Sequence, residues 1–218
     1  MLRRILVTAL VAGAVAGIVV SLVQFFQVLP LIGEAEQIEA AALSHVQTHG
    51  QVQAQAQVSG DTSRLTFTII YNILAGVAFG LLLVSAYVLS GRPVDWHRGV
   101  IWGLAGFVAV GLAPALGMMP SPPGSDLGPL AERQVWWLLC GSATAGGLAF
   151  LAFAKAWPYR LVGVSLLVVP HLIGAPGMES PAPDPDFAFR FAVASLSATG
   201  VFWAVLGGVS GYVYRKLG

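Results

Sequence analysis

Leu161-Val162-Gly163-Val164-Ser165-Leu166-Leu167-Val168-Val169-Pro170-His171-Leu172-Ile173, followed by Gly174-Ala175-Pro176, decides how often this chain crosses a bilayer. The apolar run holds 13 residues, about 20 Å as a helix against a hydrocarbon core of about 30 Å. A helix that stops short leaves carbonyls unpaired, and non-helical backbone at membrane depth is tolerated only inside protein or beside a wet cavity. An imidazole placed there, between Pro170 and Pro176, marks a candidate site.

Working outward, 56% of the 218 residues are hydrophobic and only 10% charged, whereas soluble domains carry about 25% charged residues. The predicted fold is all-α: one polytopic membrane helix bundle over residues 1–218, with spans at 5–28, 66–89, 99–118, 135–156, 161–173 and 187–213 and a Gln-rich outer loop at 33–64. The first run is longer than a signal-peptide core and is read as a retained helix. The fifth is short, or broken at Pro170. A net charge of +1 gives no reason to expect nucleic acid, and the lone Cys140 cannot form an intrachain disulfide.

Basic residues set the orientation. With the N-terminus in the cytoplasm, Arg3, Arg4, Arg92, Arg98, Lys155, Arg160, Arg215 and Lys216 fall inside, and only Arg64, Arg133 and Arg190 outside. That sorting requires the fifth segment to cross; otherwise Arg215 and Lys216 would lie outside. Six spans with both termini cytoplasmic, in a bacterial inner membrane, is the expectation.

Spans three-four and five-six read as parallel two-helix repeats, a device transporters use. Ala113-Pro114-Ala115-Leu116-Gly117-Met118 matches Val169-Pro170-His171-Leu172 with Gly174 and Met178. Ser142-Ala143-Thr144 returns as Ser197-Ala198-Thr199. Interrupted helices at corresponding positions point to a binding site, here Pro114 and Pro170, with Pro30 at the outer end of span one. Gly174, Asn72 and Gln27 are candidates to line it. Gly13/Gly17, Gly76/Gly80, Gly99/Gly103 and Gly207/Gly211 are small-residue pairs that let helices approach closely.

Candidate metal ligands follow from residue type. His171 is polar inside a span, a functional candidate by default, or else a buried histidine pairing with a carbonyl freed by Pro170. Met118 and Met178 could add thioethers, which favour copper(I), or act as hydrophobic filler. His45 and His49, at i and i+4, could chelate a divalent ion or face solvent. Glu36 and Glu39 (i, i+3) could form a cation-attracting mouth beyond Pro30, or a solvated face. Histidine with carboxylate suits divalent cobalt, nickel or zinc. The chain has no phosphate-binding GxxxxGK[ST], no HExxH and no GxSxG, so neither ATP hydrolysis nor another enzyme activity is expected, and no tightly bound cofactor.

Arg3-Arg4 with its small-residue span, Gln24…Gln27-Val28-Leu29-Pro30-Leu31-Ile32…Glu36…Glu39, the run from Asn72-Ile73-Leu74-Ala75-Gly76 to Leu83, Ala113-Pro114-Ala115-Leu116-Gly117 and Pro170-His171-Leu172-Ile173-Gly174-Ala175-Pro176 resemble the motifs of the CbtA family. The likeness covers nearly the whole chain, although the family is described with fewer spans than the six counted here. It implies cobalt uptake for cobalamin synthesis, with a small single-span, histidine-bearing partner, CbtB. The expected function is an inner-membrane permease, or permease subunit, for Co2+ or Ni2+. The cation would pass an acidic outer mouth to the Pro-His break. The rival reading is a non-transporting scaffold that docks a partner of a metal-uptake system; a homo-oligomer stays open.

Overall fold

Among the described residues there are eight α-helices: α1 (Leu2–Gln27), α2 (Leu29–Ser44), α3 (Gln53–Ser90), α4 (Trp96–Phe107), α5 (Ala113–Gly117), α6 (Leu130–Phe153), α7 (Trp157–Ile173) and α8 (Pro185–Lys216). A π-helical turn, Val108–Leu112, joins α4 to α5. The computed structural model describes residues 1–44, 53–123, 125, 127–177 and 184–218, with backbone alone for 38–44 and 53–64. No strand occurs among the described residues.

Among the described residues, five helices are long and apolar enough to cross a membrane: Leu2–Gln27, Leu65–Ser90, Trp96–Gly117, Leu130–Phe153 and Pro185–Lys216. Only 28% to 39% of each apolar window is buried. Leu82, Ile101, Leu116 and Leu139 are among the residues left exposed. So much apolar surface fits contact with lipid and not with water.

Three expectations are corrected. The fifth segment begins at Trp157, not at residue 161, because Pro158 is tolerated in a first helical turn. Arg160 belongs to that helix, and its Nε donates to the Ala154 carbonyl at the end of α6 (3.2 Å). At 17 residues, α7 reaches about 25 Å, the short end of what spans a bilayer. Second, Pro170 lies inside α7 and does not break it. The helix stops at Gly174, whose φ of 86° is a conformation side chains disfavour. Third, the Gln-rich stretch from Gln53 is helical and continuous with α3, in keeping with the good helix propensity of alanine and glutamine.

The chain divides into two compact units, Met1–Gly103 with Val201–Gly218, and Leu104–Gly200. In the first, α1 and α3 meet backbone to backbone. A Cβ on Gly13 would strike Gly76 and Val77, and one on Gly17 would lie 2.6 Å from Ile73 Cα. The start of α4 meets the end of α8 in the same way, Gly99 and Gly103 against Gly207 and Gly211. The four glycine pairs legible in the sequence therefore form two seams. Tyr87 is buried and shares a 2.9 Å hydrogen bond with Ser210. Phe79 packs on Phe202 and Trp203. The first and last spans end together: Arg4 Nε donates to the Tyr214 carbonyl (2.8 Å).

In the second unit α6 and α7 run antiparallel. Near one end Gly163 and Gly147 touch, a Cβ on Gly163 falling 2.9 Å from the Gly147 carbonyl oxygen. Toward the other, His171 faces Trp136.

Candidate functional site

The two proline segments of the second unit end alike. Each helix runs three residues past its proline, and the next backbone N–H caps the proline carbonyl: Met118 to Pro114 at 2.9 Å, Gly174 to Pro170 at 3.1 Å. In both, proline withholds an amide N–H from the preceding turn. Beneath Pro114 the chain relaxes into the π turn, closed by the Ala113 N–H on the Val108 carbonyl. Above Pro170, the carbonyls of His171, Leu172 and Ile173 lie beyond the last intrahelical donor.

Trp136, early in α6, draws these ends together. With Ala113 and Cys140 it forms a buried cluster against which Met118 and Ala175 pack. A Cβ on Gly117 would collide with the far edge of its indole ring and sit 3.0 Å from Ala175 Cβ. The half-buried His171 ring meets the same indole edge-on, centroids 6.3 Å apart. His171 therefore turns toward α6, while its neighbours Leu172 and Ile173 are exposed. Trp136 is itself only 7% exposed, and its Nε1 has no acceptor among the described residues. A buried donor of that kind is uncommon.

Of the ligands expected from sequence, His171 lies against this indole and Met118 against the cluster that contains it. Gly174 ends the helix that carries His171, and Pro114 and Pro170 are buried. Pro30 and Glu36 belong to α2 in the first unit, where Glu36 is exposed and the helix begins one residue after α1 ends, at the Val28 joint. Glu39 lies on α2 with its side chain outside the description; His45, His49 and Met178 fall outside the described residues altogether. Asn72 is a buried cross-link between α1 and α3, its amide donating to Ser21 Oγ (3.0 Å) and Gln24 Oε1 (2.7 Å). Gln27 closes α1. Among the described residues no three of His, Cys, Asp and Glu gather as a metal site.

Sequence reading passed over Trp136. Tryptophans at a span's start normally mark the interfacial belt. The usable signal was the stripe Trp136, Cys140, Thr144, Gly147, all buried, on a helix whose leucines face outward.

Long lipid-facing helices, with two proline-ended segments converging on one buried indole, define a polytopic α-helical membrane protein. The chain belongs to the CbtA family, whose model, described as "Probable cobalt transporter subunit (CbtA)", matches residues 2–215. A family of transporter subunits implies a partner and agrees with a non-enzymatic role. No curated protein and no solved structure matches the chain.

Proposed function

We propose that this protein is the membrane-spanning permease component of a cobalt uptake system of the bacterial inner membrane, with its cation site at the outer proline-ended helix termini. The observation that carries this reading is that His171 packs on Trp136 while Met118 packs on the cluster that Trp136 forms with Ala113 and Cys140. There an imidazole, a thioether and unpaired peptide oxygens can replace part of a cation's hydration shell. Such a mixed set binds modestly, which suits release as well as capture. Nickel and copper bind most nitrogen sites more tightly than cobalt, so selectivity rests on geometry or on the partner, for which a small single-span, histidine-bearing CbtB-like protein is the candidate. Glu36 and Glu39, with His45 and His49 further along the same sequence segment, would attract cations to the outer surface by Coulomb attraction. Met178 and Gln27 are secondary candidates.

Six crossings with cytoplasmic termini accompany this proposal. The Arg4–Tyr214 contact supports an even number, since the first span starts where the last one ends. Five long spans alone would be odd, and α7, antiparallel to α6, supplies the sixth. The like capping of Pro114 and Pro170 supports the two-helix parallel repeat. With that parity, the basic-residue bias puts the ends in the cytoplasm.

A second reading, a scaffold that docks the transporting partner, is favoured by the lack of a three-ligand cluster among the described residues. Cobalt accumulation in cells expressing His171→Ala at wild-type levels tests the first reading. A loss of at least fivefold is expected; unchanged accumulation would remove His171 from transport. Metal entry into vesicles holding only the purified protein and a metal-sensitive dye separates permease from scaffold.

A further inference from the structure

Where α1 and α4 begin and α3 and α8 end, the first unit holds a cleft of about 620 Å³. Arg4, Arg92, Arg98 and Arg215 line it, and Asp95 is the sole acid among the lining residues. Asp95 is already engaged: its Oδ1 accepts the Arg98 backbone N–H at 2.9 Å, capping α4. That bond, with the nearby charges of Arg98, His97 and Arg215, holds its carboxyl below the usual range. Two guanidinium groups are fixed in place. Arg4 bonds the Tyr214 carbonyl and lies 3.6 Å over the Tyr214 ring, and Arg98 Nη1 donates to the Pro93 carbonyl at 2.7 Å. Four arginines and one committed carboxylate give the lining residues a net positive charge.

We propose that this cleft binds the phosphate of an anionic phospholipid headgroup. The guanidinium fork matches phosphate oxygens two at a time, and arginine sheds water more readily than lysine. Depth selects the lipid. The cleft lies where candidate spans start at Leu2 and Trp96 and end at Ser90 and Lys216, and the polar headgroups flank the hydrocarbon core at span ends. Leu2 and Leu89, next to lining residues, are exposed, as acyl chains beside a bound headgroup require. At that level lipid headgroups are the anions present alongside the cleft, which favours a lipid phosphate over an acidic peptide from solution. The proposal holds for either leaflet and is independent of the transport reading.

The test is native mass spectrometry of the full-length protein in neutral detergent, titrated with phosphatidylglycerol or with phosphatidylcholine of the same chains. Wild type should retain phosphatidylglycerol at least tenfold better. Arg98→Gln with Arg215→Gln should weaken it by about 25-fold, roughly fivefold for each arginine. The same charge loss at the α6–α7 turn, Lys155→Gln with Arg160→Gln, should leave it within about twofold, as only general surface charge is removed there. Should the double variant not fold, Arg92→Gln alone should cost about fivefold. Equal retention of the two lipids, or equal loss in the control pair, overturns the proposal. So does displacement of phosphatidylglycerol by inorganic phosphate, which would make the ligand a soluble anion, or by a polyglutamate peptide, which would make it an acidic protein segment.

Discussion

Gly117→Ala is the sharpest probe of the proposed site beside Trp136. The added methyl carbon would meet Trp136 Cζ2 at 2.7 Å and Cη2 closer still, with Ala175 Cβ at 3.0 Å on its other side. Carbon atoms rest about 3.5–4.0 Å apart, so the ring must withdraw by roughly 1 Å. Trp136 cannot retreat freely, because it is packed on Ala113 and Cys140. Overpacking of this kind costs about 1–3 kcal/mol. The colliding atoms belong to the benzo ring, which phenylalanine at 136 would lack. Trp136→Phe should therefore be destabilising alone, yet should absorb most of the cost of Gly117→Ala. The coupling in a double-mutant cycle should be about 1–2 kcal/mol, favouring the pair. Thermal unfolding of the four proteins in detergent measures the cycle, and cobalt uptake of the same set follows the site. Since His171 lies against the same indole, uptake should fall in Gly117→Ala and recover in part in the double variant. Strictly additive destabilisation would refute the reasoning, because it would mean that the ring does not cover Gly117.

Gly207→Val should open the α4–α8 seam and cost about 3 kcal/mol or more in thermal unfolding, since its Cβ would meet the Gly99 carbonyl and lie 2.9 Å from Gly103 Cα. Gly33→Ala, with nothing within 4 Å of the new atom, should instead stabilise α2 by about 0.5–1 kcal/mol. Asn72→Ala removes both amide bonds to α1 and should cost about 1–2 kcal/mol by the same assay. For Asp95 the folded-state carboxyl is held low, so its contribution is present above the ordinary carboxylate range and is lost as acid protonates it. Thermal unfolding of wild type should lose that increment below this range, and Asp95→Asn should show a flatter acid limb.

The spans were legible because lipid imposes one simple demand, about twenty apolar residues per crossing, and the runs around residues 5–28 and 66–89 meet it without rival. Which helices pair was not legible. Gly13 and Gly17 state that something comes close, and Gly76 and Gly80 say the same, but a glycine carries no label for its partner; the seams become visible only as Gly13 meets Gly76 and Gly99 meets Gly207. Trp136 was missed for the converse reason. Val135-Trp136-Trp137 has the composition of an interfacial belt, and only packing separates a tryptophan that is 7% exposed from its neighbour. In lipid the protein-facing stripe is the small and polar one, so the soluble-protein habit of seeking the core among leucines points to the wrong face of α6.

Pro170 shows why a proline in a sequence marks a polar layer without marking a helix end. Its fixed φ is compatible with a helix, and near a C-terminus it forfeits one bond, the one its missing N–H would have made to the Leu166 carbonyl. That loss is small enough for α7 to continue one turn, until Gly174 takes a positive φ and ends it. Carbonyls without an i+4 donor in the helix consequently occur at two levels: at Leu166, one turn below the proline, and at His171 to Ile173 above it. The imidazole of His171 is turned toward Trp136. A helix snapped at Pro170 would have exposed a single ragged end. A helix that continues past it sets the Leu166 and His171 carbonyls about 7.5 Å apart along its axis, two levels of oxygen beside the proposed site.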